Sequence, residues 1–542
     1  LNVKPGDELF FRSKGKVEIW DAFSGEVKPI KASREDENGT YLRLNTNYNR
    51  STLVVFNNLE KTVFENGALK TGDHLESAVR IEGEWDIEYV PTMNNKFGDF
   101  RLPEENDMIG TEARTFSFIN SDKAPKDWYK PDFNYRDWDD GIYGYGLQGY
   151  FCQLTPNGDF DQFVKDCLQN KAEWKPYHFS WQFGVWEHPG SQGYHGLKGK
   201  VDDGFFIMGD NGHYAFKSNL IVNSNGSYRI EYAGIKPTAL YIDGKMVTDT
   251  TLYLKKGKVA MLAIYKGIKK GKLINDRAVI DERSRGAVVL FPVSIAPPQK
   301  HNAYTKKLGM SWNDSEERLL FDPYGNTKGN CSYLFDAGPG LEAMDFSIYG
   351  NNPIIWIDGE KLPPQNIRIV KTEKGMNHYK VLLDSRKEHL CRVAMQIKPF
   401  AGYNDTGIFT HPIKLICKTG KLKPCNWATI GQLLHYSGGM WYRKNLELTR
   451  SQLSNKIILD LGEVVATCEV HVNGKKAGIL LNSPFKIEIQ DFVKAGTNKI
   501  EVLVYSTLSN HYQTVPTPVM YRGDAKAGLI GPVKIEYWAQ NK

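Results

Sequence analysis

The densest gathering of chemically useful side chains lies in Trp181-Gln-Phe-Gly-Val-Trp-Glu-His-Pro-Gly-Ser-Gln-Gly-Tyr-His-Gly196. There Trp186, Glu187, His188, Gln192, Tyr194 and His195 fall within ten positions, and Gly190, Gly193 and Gly196 leave the backbone free. Aromatic faces beside amide, carboxylate and imidazole groups suit a sugar, which offers a C–H face for stacking and hydroxyls for paired hydrogen bonds. The competing expectation is a self-packed loop with its aromatics turned inward. No metal site is expected, because His188 and His195 share no helical or hairpin spacing with a third ligand. A second polar group, Asn510, His511, Tyr512, Tyr521 and Arg522, flanks a Pro-rich loop and also suits hydroxyl recognition. A third, Thr92 to Pro103, mixes amides with Phe97, Asp99, Phe100 and Arg101; it reads as sugar-facing or as an Asx-capped loop.

Hydrolysis of a glycoside would ask more of these residues. It needs two carboxyl groups about 5 Å apart for retention or roughly 6.5–9.5 Å apart for inversion, one of them with a raised pKa. Asp99, Glu112, Glu187 and Asp203 are the candidates for such a pair.

The elements that must position these groups show a repeat. Leu240-Tyr-Ile-Asp-Gly-Lys245, Ile355-Trp-Ile-Asp-Gly-Glu360 and Glu469-Val-His-Val-Asn-Gly-Lys475 are β-branched or aromatic runs ending in Asp-Gly or Asn-Gly. That dipeptide accepts the positive φ angles of a two-residue type I′ hairpin. Their glycines, 244, 359 and 474, are 115 residues apart in both intervals (359 − 244 and 474 − 359). One repeated unit is implied, and the predicted fold is all-β, a tandem array of jelly-roll, galactose-binding-like β-sandwiches. The expected divisions are a small β-domain over 1–74, a sandwich over 75–296 with a long aromatic and Gly-rich insertion at about 139–212, a sandwich over 297–425 and a jelly roll over 426–542. Val17–Asp21, Tyr41–Leu44 and Leu53–Phe56 read as strands of the first unit, and Asn482–Val493 reads as a strand and then one helical turn.

Composition fits this reading. The chain has 542 residues, 12% of them aromatic, with 50 Gly and 25 Pro, as suits several turn-rich β-domains. The 69 Lys+Arg against 63 Asp+Glu leave a net charge of only +6 without a basic block, so nucleic acid and anionic membranes are not expected partners. No apolar run is long enough for a spanning helix. The seven Cys lack zinc-type spacing, so buried thiols are expected, with Cys417 to Cys425 as the alternative local bridge. Leu1-Asn-Val-Lys-Pro-Gly6 carries neither an initiator Met nor a signal sequence, so a piece of something longer is expected. No cofactor is expected.

The last unit carries Gly439-Met-Trp-Tyr-Arg443, Leu459-Asp-Leu-Gly-Glu463, Val472-Asn-Gly-Lys475, Pro484-Phe485, Gly496-Thr-Asn498 and Gly528-Leu-Ile-Gly-Pro-Val533 in order. This series resembles the jelly-roll sugar-binding domain of glycoside hydrolase family 2. Asn510-His-Tyr512, Pro516-Thr-Pro518, Tyr521 and Gly528–Pro532 more closely resemble the C-terminal sandwiches of large bacterial α-L-rhamnosidases of family 106. Val17-Glu-Ile-Trp-Asp-Ala-Phe-Ser-Gly25 is similar to the small β-domain that follows the catalytic barrel in such enzymes, and Trp128–Asp140 resembles an acidic-aromatic stretch of the family 2 sandwich. The resemblance implies a periplasmic or extracellular protein, a carbohydrate partner and a catalytic barrel elsewhere in the parent chain. No βα alternation long enough for that barrel is present. The favoured expectation is therefore a non-catalytic, carbohydrate-associated sandwich array of a rhamnosidase-like glycoside hydrolase. Its alternatives are a self-sufficient glycosidase with carboxylates in 92–212 and a structural or adhesion module that binds protein.

Overall fold

The computed structural model describes residues 8–20, 26–43, 53–64, 74–96, 105–155, 157–180, 206–207, 212–232, 236–268, 288–289, 293–296, 320–321, 329–373, 375–409, 411–512 and 525–539. Strands dominate them, as expected from the Gly- and aromatic-rich, turn-punctuated sequence.

Three antiparallel sheets share one strand order. In the first, Lys175–Ser180, Tyr145–Leu154, Gly212–Val222, Gly257–Ile268, Ala239–Ile242 and Lys245–Met246 lie side by side, with Leu320–Phe321 also pairing to Gly212–Val222. In the second the order is Asp139–Ile142, Thr115–Asn120, Cys331–Ala337, Cys391–Pro399, Gly350–Ile357 and Glu360–Lys361. The third runs Gly420–Leu422, Trp85–Val90, Gly439–Leu448, Gly496–Tyr505, Thr467–Val472 and Lys475–Leu480. The repeated dipeptide closes the same hairpin in each. Both turn residues have positive φ: 47° and 73° at Asp243-Gly244, 53° and 83° at Asp358-Gly359, 53° and 76° at Asn473-Gly474, as a type I′ turn requires.

The turn side chain makes the same bond three times. Its residue's N–H donates to a carbonyl of the neighbouring long strand, and its side-chain oxygen accepts from that same residue's N–H. The pairs are Asp243 with Ala260 at 2.8 and 2.8 Å, Asp358 with Arg392 at 2.9 and 2.9 Å, and Asn473 with Lys499 at 2.9 and 3.0 Å. An amide or carboxylate therefore occupies this position because it accepts a backbone N–H that the edge of the hairpin would otherwise leave open.

Each of these large sheets has a second sheet in the same unit: Thr251–Leu254, Gly226–Tyr232 and Val293–Ala296 in the first, five strands led by Thr111–Ala113 in the second, and Lys486–Glu488, Lys456–Asp460, Lys534–Ala539 and His74–Arg80 in the third. Alternation builds the cores. Thr467–Val472 sends Cys468, Val470 and Val472 inward, where they join Trp85, Trp427, Tyr442 and Ile500; in the second core Phe116 stacks on Phe409 at 4.6 Å. Full burial of each large apolar side chain contributes about 1.5–3 kcal/mol.

Strand pairing divides the chain differently from the consecutive blocks that turn spacing suggests. Trp85–Val90 pairs with Gly439–Leu448, so 74–90, 420–512 and 525–539 form one outer module. Thr115–Asn120 pairs with Cys331–Ala337, so 111–142 and 331–417 form a middle module within the outer one. Tyr145–Leu154 pairs with Gly212–Val222 in an inner module lying between the two parts of the middle one. In all three, the long excursion leaves after the equivalent strand, Tyr145–Leu154, Thr115–Asn120 or Trp85–Val90, and returns to the strand beside it. The modules are nested through one connection. A two-sheet unit around Val17, Ala32 and Leu42 precedes them, with Lys16–Trp20, Gly39–Arg43 and Leu53–Asn57 as expected strands. A single 3-10 turn, Gln490–Phe492, follows Lys486–Glu488, as read from the sequence.

Candidate functional site

Equivalent positions on the three large sheets are covered differently. Two residues before each turn stand Tyr241, Trp356 and His471, paired across the sheet with Leu262, Ala394 and Glu501. In the middle module Tyr129 stacks on Trp356 with ring centroids 5.0 Å apart, and Trp128, Phe133 and Trp138 complete the cover. Thus the acidic-aromatic stretch before Trp138 is packing. In the outer module Trp441 meets His471 edge-on at 5.5 Å, while Arg443 bonds Glu501 at 3.0 Å and Glu88 at 2.7 Å.

The inner module instead opens into a cavity of about 360 Å³ beside Tyr241, lined also by Tyr150, Lys217, Asn219, Leu262 and Cys167. One wall is the helix Phe160–Leu168, which Asp159 caps by accepting the Gln162 N–H at 3.0 Å, and which buries Phe163 and Cys167 against Cys152, Ala215 and Ile264. Lys217 donates to the Asn170 side chain and sits 4.2 Å from the Trp174 ring centroid; burial lowers its pKa from the ordinary lysine value. Half-buried aromatic faces, an amide and an ammonium thus line one concave surface of the size of a small-ligand pocket. No sequence motif singles out this cavity, although Tyr241 lies inside the repeated hairpin pattern and Phe160, Phe163, Val164 and Cys167 have helical spacing.

Two clusters of buried polar groups lie elsewhere, where one module enters another. Between the outer and middle modules, Arg114 is 1% exposed. Its guanidinium bonds Glu112 at 2.8 and 2.9 Å, the His511 carbonyl at 2.8 Å and the His511 Nδ1 at 2.7 Å. Gln432 accepts the Arg114 N–H at 2.9 Å and donates to the Thr115 carbonyl at 2.8 Å, while the Thr115 hydroxyl meets His435 Nε2 at 3.1 Å. Burial, with the charges of Arg114 and His511 beside it, holds the His435 pKa well below the ordinary histidine value, so its ring is neutral. Gly431 lets the chain pass: with φ at +43°, a Cβ there would lie 2.3 Å from the Asp336 carbonyl oxygen.

At the joint between the middle and inner modules, the Leu147 N–H donates to Asn404 at 2.7 Å and to the Asp405 carboxylate at 3.0 Å, and Asn404 returns a bond to the Leu147 carbonyl at 2.9 Å. Desolvation raises the Asp405 pKa to about 7, against the Leu147 bond and with a further push from Asp139.

Of the candidates named above, Glu112 and His511 are brought together, both on Arg114. Asn510 and His511 are buried in that joint, and Tyr512 lies edge-on to His511 at 5.1 Å. A smaller cavity of about 250 Å³ lies beside Glu112, between Tyr89, Met108 and Lys414. Asp99, Trp186, Glu187, His188, Gln192, Tyr194, His195, Asp203, Tyr521 and Arg522 lie outside the described residues. Among the described residues no group of three potential metal ligands occurs, and no helix is long and apolar enough to cross a membrane. No disulfide joins any of the seven cysteines in this structure, Cys417 and Cys425 included.

The fold defines a nested array of β-sandwiches. No family model matches the chain. A stretch of 89 residues, 16% of the chain, is 35% identical to a protein of Formosa agariphila named "Putative beta-glucuronidase", covering 8% of that protein's length. Among solved structures the chain is similar to a rhamnosidase from Novosphingobium sp. PP1Y, with 19% identity over 38% of this chain and 23% of that one and a TM-score of 0.20. A Bacteroides uniformis β-glucuronidase matches 19% of this chain and 12% of its own at 22% identity, with a TM-score of 0.16. The chain spans less than a quarter of the length of each of these three proteins.

Proposed function

We propose that this chain is a carbohydrate-binding sandwich array belonging to a glycoside hydrolase of the rhamnosidase or glucuronidase kind, and that it does not itself cleave the glycosidic bond. The observation that carries this reading is the cavity at Tyr241. Its equivalent in the middle module is filled by Tyr129 stacked on Trp356, so a flat, partly apolar ring is what this sheet position accepts. A pyranose has such a face, and the polar side chains of Lys217 and Asn219 share the same lining.

Against catalysis, Glu112 is 12% exposed and tied to Arg114, and Asp405 is 8% exposed inside its joint. Glu112 borders the smaller cavity, but its carboxylate is held by Arg114, and among the described residues no second carboxyl except Asp107 lines that cavity, which speaks against rather than for a paired acid and base. The 35% identity with a protein named as a β-glucuronidase supports the glycosidase context. The remaining parts of the reading are an exported protein, a catalytic barrel elsewhere in the parent chain, and further sugar contacts from the Trp186–His195 loop and from Tyr521 and Arg522.

Oligosaccharides titrated against wild type, Tyr241→Ala and Trp186→Ala test it. Stacking on one aromatic is worth about 1–3 kcal/mol by analogy with bases on aromatic side chains, so affinity of roughly millimolar order is expected, lost in Tyr241→Ala. Equal binding by wild type and Tyr241→Ala removes the cavity from the reading. Turnover of aryl rhamnosides, galactosides or glucuronides that disappears in Asp99→Asn or Glu187→Gln replaces it with a self-sufficient glycosidase.

A further inference from the structure

Two cysteines differ from the other five. Cys152 lies on the strand Tyr145–Leu154 and Cys167 in the last turn of the helix Phe160–Leu168. Their sulfurs are 3.5 Å apart, and the side chains are 4% and 5% exposed against Phe163, Ala215 and Ile264. No other two of the seven are in comparable contact among the described residues. A disulfide needs its sulfurs at about 2.05 Å, so each must move by somewhat less than about 1 Å, within reach of small rotations about the two Cα–Cβ bonds.

We propose that Cys152 and Cys167 form a disulfide when the protein matures in an oxidising compartment, fastening the helix to the sheet. One thiolate attacks the disulfide of a dithiol oxidant or of glutathione disulfide, giving a mixed disulfide and releasing one oxidant thiol. The second thiolate displaces the remaining oxidant sulfur. Both cysteines lose a proton, and the two electrons reduce the oxidant to two thiols.

Timing follows from burial. Contact with Cys167 and loss of solvent raise the Cys152 pKa, and a buried thiol is a poor nucleophile. Oxidation therefore belongs to folding, before the helix covers the strand, and the closed bond is then sheltered from reductant. The benefit falls on the helix. Nine residues are too few to hold a helix alone, and its apolar side chains and this bond tie it down. Because Cys167 also lines the cavity at Tyr241, the bond fixes one wall of that cavity, although the inference stands whether or not the cavity takes a sugar.

The full chain, exported to an oxidising compartment, is denatured in alkylating reagent without reductant and its mass and peptides are analysed. Five alkylated thiols and one linked pair of peptides holding Cys152 and Cys167 are expected from the seven cysteines. Seven alkylated thiols, or a link between other cysteines, overturns the inference. A second readout separates the bond from mere packing. Wild type unfolded and refolded in reductant should be cleaved in the helix on the order of a hundredfold faster than oxidised wild type, the stabilisation expected of a closed loop of roughly 15 residues. The Cys152→Ala/Cys167→Ala protein should cleave at one rate with or without reductant. Identical cleavage of oxidised and reduced wild type, or equal reductant effects on both proteins, counts against the bond.

Discussion

Asp405→Asn isolates the electrostatics of one joint. Asp405 is 8% exposed, and burial raises its pKa from 3.8 to about 7. A carboxyl whose folded pKa is raised contributes stability that is fully present below its unfolded pKa and is lost as pH rises through the folded one. At about 1.36 kcal/mol for each tenfold change in proton affinity, the ionised form costs the joint about 4 kcal/mol above pH 7, and about 2–3 kcal/mol of that loss falls between pH 5 and pH 8. Asparagine keeps an oxygen for the Leu147 N–H but carries no charge, so this part of the pH dependence should vanish. The backbone conformation, φ +50°, is tolerated by both residues, and any difference there is independent of pH. The assay is urea unfolding of wild type and variant in steps from pH 5 to pH 9. The variant should be the more stable above pH 7, with the two converging as pH falls towards 4. Parallel profiles, separated by a constant amount, would refute the claim that a buried, proton-holding carboxyl sits in this joint.

The other joint offers matching tests. Arg114→Met strands Glu112 and removes the bonds to His511; a cost of about 3–5 kcal/mol is expected by urea unfolding, since one partner of a buried pair is left uncompensated. Adding Glu112→Leu should restore most of it, and a single-variant loss below about 1 kcal/mol contradicts the ion pair. His435 is held neutral, so the stability it contributes is intact above its unfolded pKa of 6.5 and is lost as pH falls below that value; His435→Gln should flatten the acid limb of the unfolding profile. Gly431→Ala drives a Cβ against the Asp336 carbonyl at a positive φ and should cost about 2 kcal/mol or more, seen as earlier proteolysis between the outer and middle modules. An unchanged digestion pattern would mean that the close approach is not needed.

Local features were legible in the sequence because local chemistry determines them. Asp-Gly and Asn-Gly at 243, 358 and 473 announced three equivalent hairpins, since few other residues accept two positive φ angles in succession. Alternation placed strands such as Thr467–Val472, and turn residues placed the 3-10 turn Gln490–Phe492. The helix Phe160–Leu168 was hidden in a stretch whose period was masked by its Gly and aromatic neighbours, although the Asp159 cap and the spacing of Phe160, Phe163, Val164 and Cys167 were there to read.

Which strands become neighbours is another matter. Trp85–Val90 and Gly439–Leu448 carry no mark that they belong together; they pair because a sheet edge and a core close around both, and the middle module folds in the interval. For the same reason no local pattern marks Arg114, Gln432 or His435, and His511, which reads as a sugar-facing residue in the chain, becomes with them a buried partner only where two modules meet. The sequence alone determined an all-β chain built from one repeated sandwich. Nesting, polar joints and the cavity at Tyr241 were decided by tertiary structure, because each depends on bringing together segments whose separation no local pattern encodes.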